Sequence, residues 1–138
     1  MITHIITLDA GKKVTAHQLL HSITTDQPVT SGGENSAPAP FDLFLASIGT
    51  CAGIYVKSFC DQRNIPTDKI RIIQTIKFDS QKRLPSNIKL DIQLPPDFPE
   101  KYRSAVISAA DLCAVKRAIA DPPVFEVITS LSGQENKE

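Results

Sequence analysis

The segment from Phe41 to Cys60 constrains this chain more than any other. It is apolar on nearly all sides, with only Asp42, Ser47, Thr50, Lys57 and Ser58 clearly polar, and it lies between Pro40 and the breakers Asn64 and Pro66. Pro40 at its entry and Asp42 in its first turn, opposing the positive end of the helix dipole, predict a helix over Phe41–Cys60. Its charge-free part, Leu43–Val56, falls short of the roughly 20 apolar residues that span a bilayer, so a core helix is expected. A helix apolar all round must be covered on most sides, and one small sheet covers one face. The remaining surface calls for the chain's second helix or another subunit. Ala46, Ser47, Gly49, Ala52 and Gly53 are small enough to admit a close helical neighbour, which leads us to expect an obligate homodimer with paired central helices.

The rest of the chain alternates between sheet and helix signals. Met1–Gln27 reads as an opening hairpin with a third short strand, turning at Asp9-Ala10-Gly11. Pro28–Pro40, rich in Gly, Ser and Pro, reads as a mobile loop. Lys69–Asp79 and Asn87–Leu94 are Ile-rich alternating runs joined by a long basic loop, and Pro95, Pro96 and Pro99 stop the sheet. Glu100–Ala120 carries Tyr102, Val106, Ala109, Ala110 and Cys113 on one helical stripe. Val124–Leu131 reads as a closing strand, followed by a polar tail over Ser132–Glu138 that is expected to fray. The 138 residues suit one domain with its own hydrophobic core.

Charge and cysteine usage exclude several classes of function. Fifteen basic and fifteen acidic residues give a net charge of zero. This argues against a nucleic-acid partner and against an anionic-membrane anchor. No basic, apolar secretory leader opens the chain, so a cytoplasmic location is expected. Cysteines in that setting serve packing or chemistry rather than a disulfide scaffold. His17 and His21 stand four apart, but on a strand they would lie roughly 13 Å from each other, too far to share an ion. We expect no metal and no cofactor.

The three cysteines are Cys51, Cys60 and Cys113. Cys51 and Cys60 share the apolar helix but face opposite sides of it at roughly 100° per residue. Cys51 sits among Gly49, Thr50, Ala52 and Gly53, which leave its sulfur uncrowded. If the core helices pack together, Cys113 is the thiol that can meet it, giving a reactive thiol with a resolving partner. Cys60 reads as a small buried hydrophobe. Lys116 and Arg117, one helical turn beyond Cys113, are cations able to favour a thiolate, and a solvated basic patch is the plainer reading of the pair.

Gly32-Gly33, the run PAPFDLFLASIGTC ending at Cys51, and CAVKRAI beginning at Cys113 together resemble the OsmC/Ohr family of osmotically inducible and organic-hydroperoxide-resistance proteins, in its OsmC-like branch. The resemblance covers most of the chain. It implies a single OsmC-like domain over residues 1–138, with an α+β fold whose antiparallel sheet wraps two long central helices in an intertwined homodimer. It further implies a thiol peroxidase in oxidative-stress defence, with Cys51 as the peroxidatic cysteine and Cys113 as the resolving one. The implied substrate is an organic hydroperoxide, and the implied reductant is a dithiol or a lipoyl group. Peroxidase members place an Arg in the N-terminal sheet and a Glu ten residues before the first cysteine. Here Phe41 holds the Glu position and the first arginine is Arg63, which leaves Asp42 and Lys12 or Lys13 as substitute charges. The CPVH-type segment has Ala114 in place of Pro and Lys116 in place of His. Phe41, Phe44 and Tyr55 are the expected walls of an apolar substrate pocket. The competing function class is a non-catalytic member that binds a small apolar or thiol-reactive ligand at the dimer interface.

Overall fold

β-Branched residues build the first sheet, where they fit a pleated, half-buried surface. In the computed structural model, which describes residues 1–133, strands β1 (Ile5–Leu8), β2 (Val14–Gln18) and β3 (His21–Thr25) are antiparallel in the order β1-β2-β3. The opening hairpin and third strand expected from the sequence are both present. Gln18 pairs with His21, so the β2–β3 turn is the dipeptide Leu19-Leu20. Leu19 takes a positive φ of 34°, a strained conformation for a bulky side chain, and both leucines are fully or almost fully exposed.

The loop from Pro28 to Ala39, expected to be mobile, is strapped down by Asp26. This carboxylate is 1% exposed and accepts hydrogen bonds from Gln27 N (2.8 Å), Glu34 N (3.2 Å), Ser36 N (3.0 Å) and Ser36 Oγ (2.6 Å). The Ser36 hydroxyl and amide, followed by the Gln27 amide, hold its pKa well below the usual carboxylate range. A short 3-10 turn, Val29–Ser31, ends at Gly32, whose φ of 83° is in the left-handed region. Because the folded pKa lies below the unfolded one, the strap's stabilisation is complete above about pH 4 and is lost only as pH falls through the depressed value. We predict that Asp26→Asn, whose amide nitrogen cannot accept, speeds hydrogen exchange at Glu34 and Ser36 at neutral pH. Equal protection of these amides in the two proteins would contradict the strap.

Helix α1 (Pro40–Asp61) extends one residue beyond the expected span at each end. Asp42 accepts a hydrogen bond from Ala39 N at 3.2 Å and so closes the first turn. By length and composition α1 could cross a bilayer, but Leu45, Ile48, Ala52, Val56 and Cys60 form a buried stripe along it at helical spacing. The hairpin of β4 (Arg71–Phe78) and β5 (Pro85–Gln93) packs its apolar face onto this stripe, with proline at the first position of β5. Gly49 and Gly53 of α1 face that hairpin. A Cβ on Gly49 would stand 2.7 Å from Gln74 Oε1, and one on Gly53 would stand 3.9 Å from the Ile72 methyl. The close approach made possible by these glycines is therefore helix on sheet.

The helical stretch Glu100–Ala120 is not continuous. A 3-10 turn, Glu100–Tyr102, leads into α2 (Arg103–Asp111), and the chain then breaks before α3 (Ala114–Ala120). The break is at Cys113, whose ψ of 121° is extended. Val106 and Ala110 of α2 join Ala52, Val56, Cys60 and Phe98 in the core. The expected strand over Val124–Leu131 does not form. Val124 and Val127 are 97% and 94% exposed, because no sheet edge of this chain receives the segment. Of the expected frayed tail, residues 134–138 lie outside the described residues.

Candidate thiol site

The break between α2 and α3 builds the site. It brings the start of α3 against α1, beside the turn that carries Cys51. The Cys51 pKa is lowered below the ordinary thiol value. The largest effect is the Val115 N–H, followed by the Cys113 side chain, with smaller contributions from the Ala114 N–H and the charge of Arg117, against partial burial. Ala114 is informative here, since a proline at this position would have no N–H to offer. The Cys113 side chain is fully buried, and its thiol lies 4.0 Å from the Ile48 carbonyl, one turn before Cys51 on α1. Cys60 is fully buried in the core instead, where burial raises its pKa.

The other candidate residues are distributed as follows. Arg117 follows Cys113 by one turn, its N–H bonded to the Cys113 carbonyl at 3.1 Å. Lys116 pairs with Asp111 at 2.6 Å. Lys13 pairs with Glu34 at 2.8 Å across the strapped loop, and this contact raises its pKa. Asp42 remains at the start of α1 on its Ala39 contact. Phe41 and Phe44 stack there, with ring centroids 5.4 Å apart. Phe44, Cys51 and Tyr55 follow one face of α1 by helical spacing. Tyr55 lines a cavity of about 540 Å³ with Ile54, Phe59, Ala109 and Leu112, the last being the residue before Cys113. A second cavity of about 490 Å³ lies between α1 and β4, among Gly49, Gly53 and Ile72, on the side of the helix away from Cys51. His17 bonds Thr7 and Ser22, each at 3.1 Å.

Two contributors were not read from the sequence. The Ala114 and Val115 amides are backbone groups, which residue motifs do not reveal. The buried role of Asp26 had a faint signal in the Asp-Gln-Pro start of a loop rich in Ser and Asn, the composition of side-chain-capped turns.

Comparisons with known proteins agree with this architecture. A search of curated proteins gives no match. A structure described as a putative osmotic stress induced and detoxification response protein from Psychrobacter arcticus 273-4 is similar with a TM-score of 0.72 and 22% identity, covering 86% of this chain and 88% of that one. An OsmC-like protein from Mycoplasma pneumoniae is similar with a TM-score of 0.68 and 13% identity, covering 88% and 89% of the two chains. An organic hydroperoxide resistance protein OsmC from Legionella pneumophila has a TM-score of 0.53 and 19% identity, covering 85% and 88%. At these identities the likeness concerns the α+β fold with its antiparallel sheets. The family model described as OsmC-like protein matches residues 33–128, from the strapped loop through both cysteine segments, and the chain belongs to that family.

Proposed function

We propose that this protein is a thiol peroxidase for organic hydroperoxides, using Cys51 as nucleophile and Cys113 as resolving thiol. The observation that carries the reading is the placement of the fully buried Cys113 thiol 4.0 Å from the Ile48 carbonyl, one turn before the half-buried Cys51, whose pKa is lowered with the Cys113 side chain among the causes. The names of structural relatives such as the Legionella pneumophila organic hydroperoxide resistance protein support it. The Cys51 thiolate attacks the O–O bond of the hydroperoxide. An S–O bond forms, the O–O bond breaks, and the leaving alkoxide takes a proton to become an alcohol. The resulting sulfenic acid condenses with the Cys113 thiol, releasing water and forming a disulfide, which an external dithiol or lipoyl group reduces. Phe44 and Tyr55, flanking Cys51 on its helix face, would seat the apolar part of the substrate. Consumption of cumene hydroperoxide in the presence of a dithiol tests the reading, with turnover expected. A protein that turns over no hydroperoxide is instead a binder of apolar or thiol-reactive ligands, a second reading favoured by the absence of any arginine before Arg63.

The site is proposed to complete itself in an intertwined homodimer with paired central helices. Supporting this are the exposed leucines of the strained β2–β3 turn, the exposed Ile5 and Leu8 of β1, and the unpaired apolar segment Val124–Leu131. Such an interface should bury more than roughly 2,000 Å². Sedimentation at micromolar concentration is predicted to give a dimer; a stable folded monomer would contradict it.

A further inference from the structure

We infer that the cavity at the C-terminal end of α1 is a binding site for a small organic carboxylate with an apolar body, held by the guanidinium of Arg63. The cavity, of about 530 Å³, lies between the turn that leaves α1 and the proline-rich turn that leads into α2, and its volume is in the range of small-molecule pockets. It stands apart from the thiol site, since the end of α1 at Asp61 is about 15 Å along the helix from Cys51. Its walls come from one chain and include neither β1, nor the β2–β3 turn, nor Val124–Leu131, the surfaces proposed above to meet the partner subunit. Three observations carry the inference.

The first is that the walls are held in place. The N–H groups of Arg63 and Ile65 both donate to the Cys60 carbonyl, at 3.0 and 2.9 Å, and those of Phe98 and Tyr102 donate to the Pro95 and Pro99 carbonyls, each at 3.0 Å. Phe98 is buried in the core, while Pro66, Pro95 and Pro99 give the cavity stiff apolar faces. The second is the state of Arg63. Its guanidinium carbon lies 3.7 Å from the Phe59 ring centroid and 5.4 Å from that of Tyr102, and Nη1 donates to the Phe59 carbonyl at 3.0 Å. These contacts fix the planar fork at the cavity wall and use one of its N–H groups. The guanidinium makes no other hydrogen bond and no ion pair among the described residues. A carboxylate takes two parallel N–H bonds from such a fork. The third is the charge of the lining. Lys69 and Lys101 line the cavity without an ion pair among the described residues, the Lys101 Nζ standing 5.0 Å from the Tyr102 ring centroid. Asp68 and Asp97 line it as well, so the three cations exceed the carboxylates by one. That balance suits a monoanion better than a dianion or a neutral molecule.

The experiment is a titration of the reduced protein with 2-naphthoate, followed by amide NMR, with the neutral 2-naphthamide and acetate as comparators. Naphthoate should shift the amides of Asn64, Ile65, Phe98 and Tyr102 and bind about tenfold more tightly than naphthamide, because hydrogen bonds to a charged acceptor are the stronger ones. Acetate lacks the apolar body and should bind more weakly than naphthoate. Arg63→Gln should remove most of the preference for naphthoate over naphthamide, and Arg63→Lys, which keeps the charge but loses the fork, should keep part of it. Because Arg63 also packs on Phe59, a second variant leaves that stack alone: Lys69→Gln combined with Lys101→Gln, both exposed positions, should weaken naphthoate about threefold and leave naphthamide unchanged. Equal affinity for naphthoate and naphthamide in the unaltered protein would overturn the inference. So would naphthoate binding unchanged in both Arg63→Gln and the lysine variant. Shifts absent from the two turns, or confined to Ile54, Tyr55, Ala109 and Leu112 in the cavity beside the thiol site, would overturn it as well.

Discussion

In Cys51→Ser, hydroperoxide consumption with a dithiol reductant is expected to fall by at least about a thousandfold, because a hydroxyl is not ionised near neutral pH and is a far weaker nucleophile than a thiolate. The substitution is nearly isosteric, and the serine oxygen can accept the same Val115 and Ala114 N–H groups, so the fold should be retained and the loss should report chemistry. Cys60→Ala provides the contrast. Cys60 lies in the core with Val56, Val106 and Ala110, on the side of α1 away from Cys51, so its loss should reduce stability and leave turnover largely intact. Retention of more than a tenth of the activity in Cys51→Ser would contradict the assignment of the nucleophile.

Gly33→Ala should be the most damaging of the glycine-to-alanine changes. A Cβ there would penetrate the Gln27 carbonyl oxygen and stand 2.6 Å from its carbon and 2.8 Å from Asp26 Oδ1. These are backbone atoms and a fully engaged carboxylate, so no flexible side chain can yield. The Gln27 carbonyl also accepts from Asn35 N at 3.0 Å, and displacing it would open the loop that leads into α1. We expect a loss of about 3 kcal/mol and a fall in Tm of roughly 10 °C. Gly32→Ala meets a different obstacle, a positive φ with only the Lys12 side chain at 3.6 Å, and should cost about 1 kcal/mol. Calorimetry on the two variants checks the order; a Gly33→Ala protein within 1 kcal/mol of the parent would contradict it.

Sequence patterns were most informative where one physical signal dominated. The apolar length of α1 and its proline entry located the helix to within a residue at each end, and alternation in the Ile-rich runs located β4 and β5. The helical stripe of Glu100–Ala120 was correct in phase but concealed the break at Cys113, since no proline or glycine marks it. Periodicity at Val124–Leu131 described a segment suited to a strand, yet a strand also requires an edge, which is a tertiary property. The small residues of α1 were read as admitting a second helix; within this chain Gly49 and Gly53 meet β4, while Ala52 joins Val106 and Ala110 of α2 in the core. At the site, the cysteine-bearing segments were legible as side chains. The amides of Ala114 and Val115 and the carboxylate cage of Asp26 were not, because each depends on where the backbone turns.

The central claim is that Cys51 and Cys113 act as one redox pair. Peptide mapping of the protein after one equivalent of organic hydroperoxide tests it most directly, in the absence of reductant and under denaturing alkylation to trap free thiols. The account predicts a Cys51–Cys113 disulfide within one subunit, with Cys60 recovered as the alkylated thiol. A disulfide involving Cys60, or sulfonic acid distributed over all three cysteines with no disulfide formed, would contradict it.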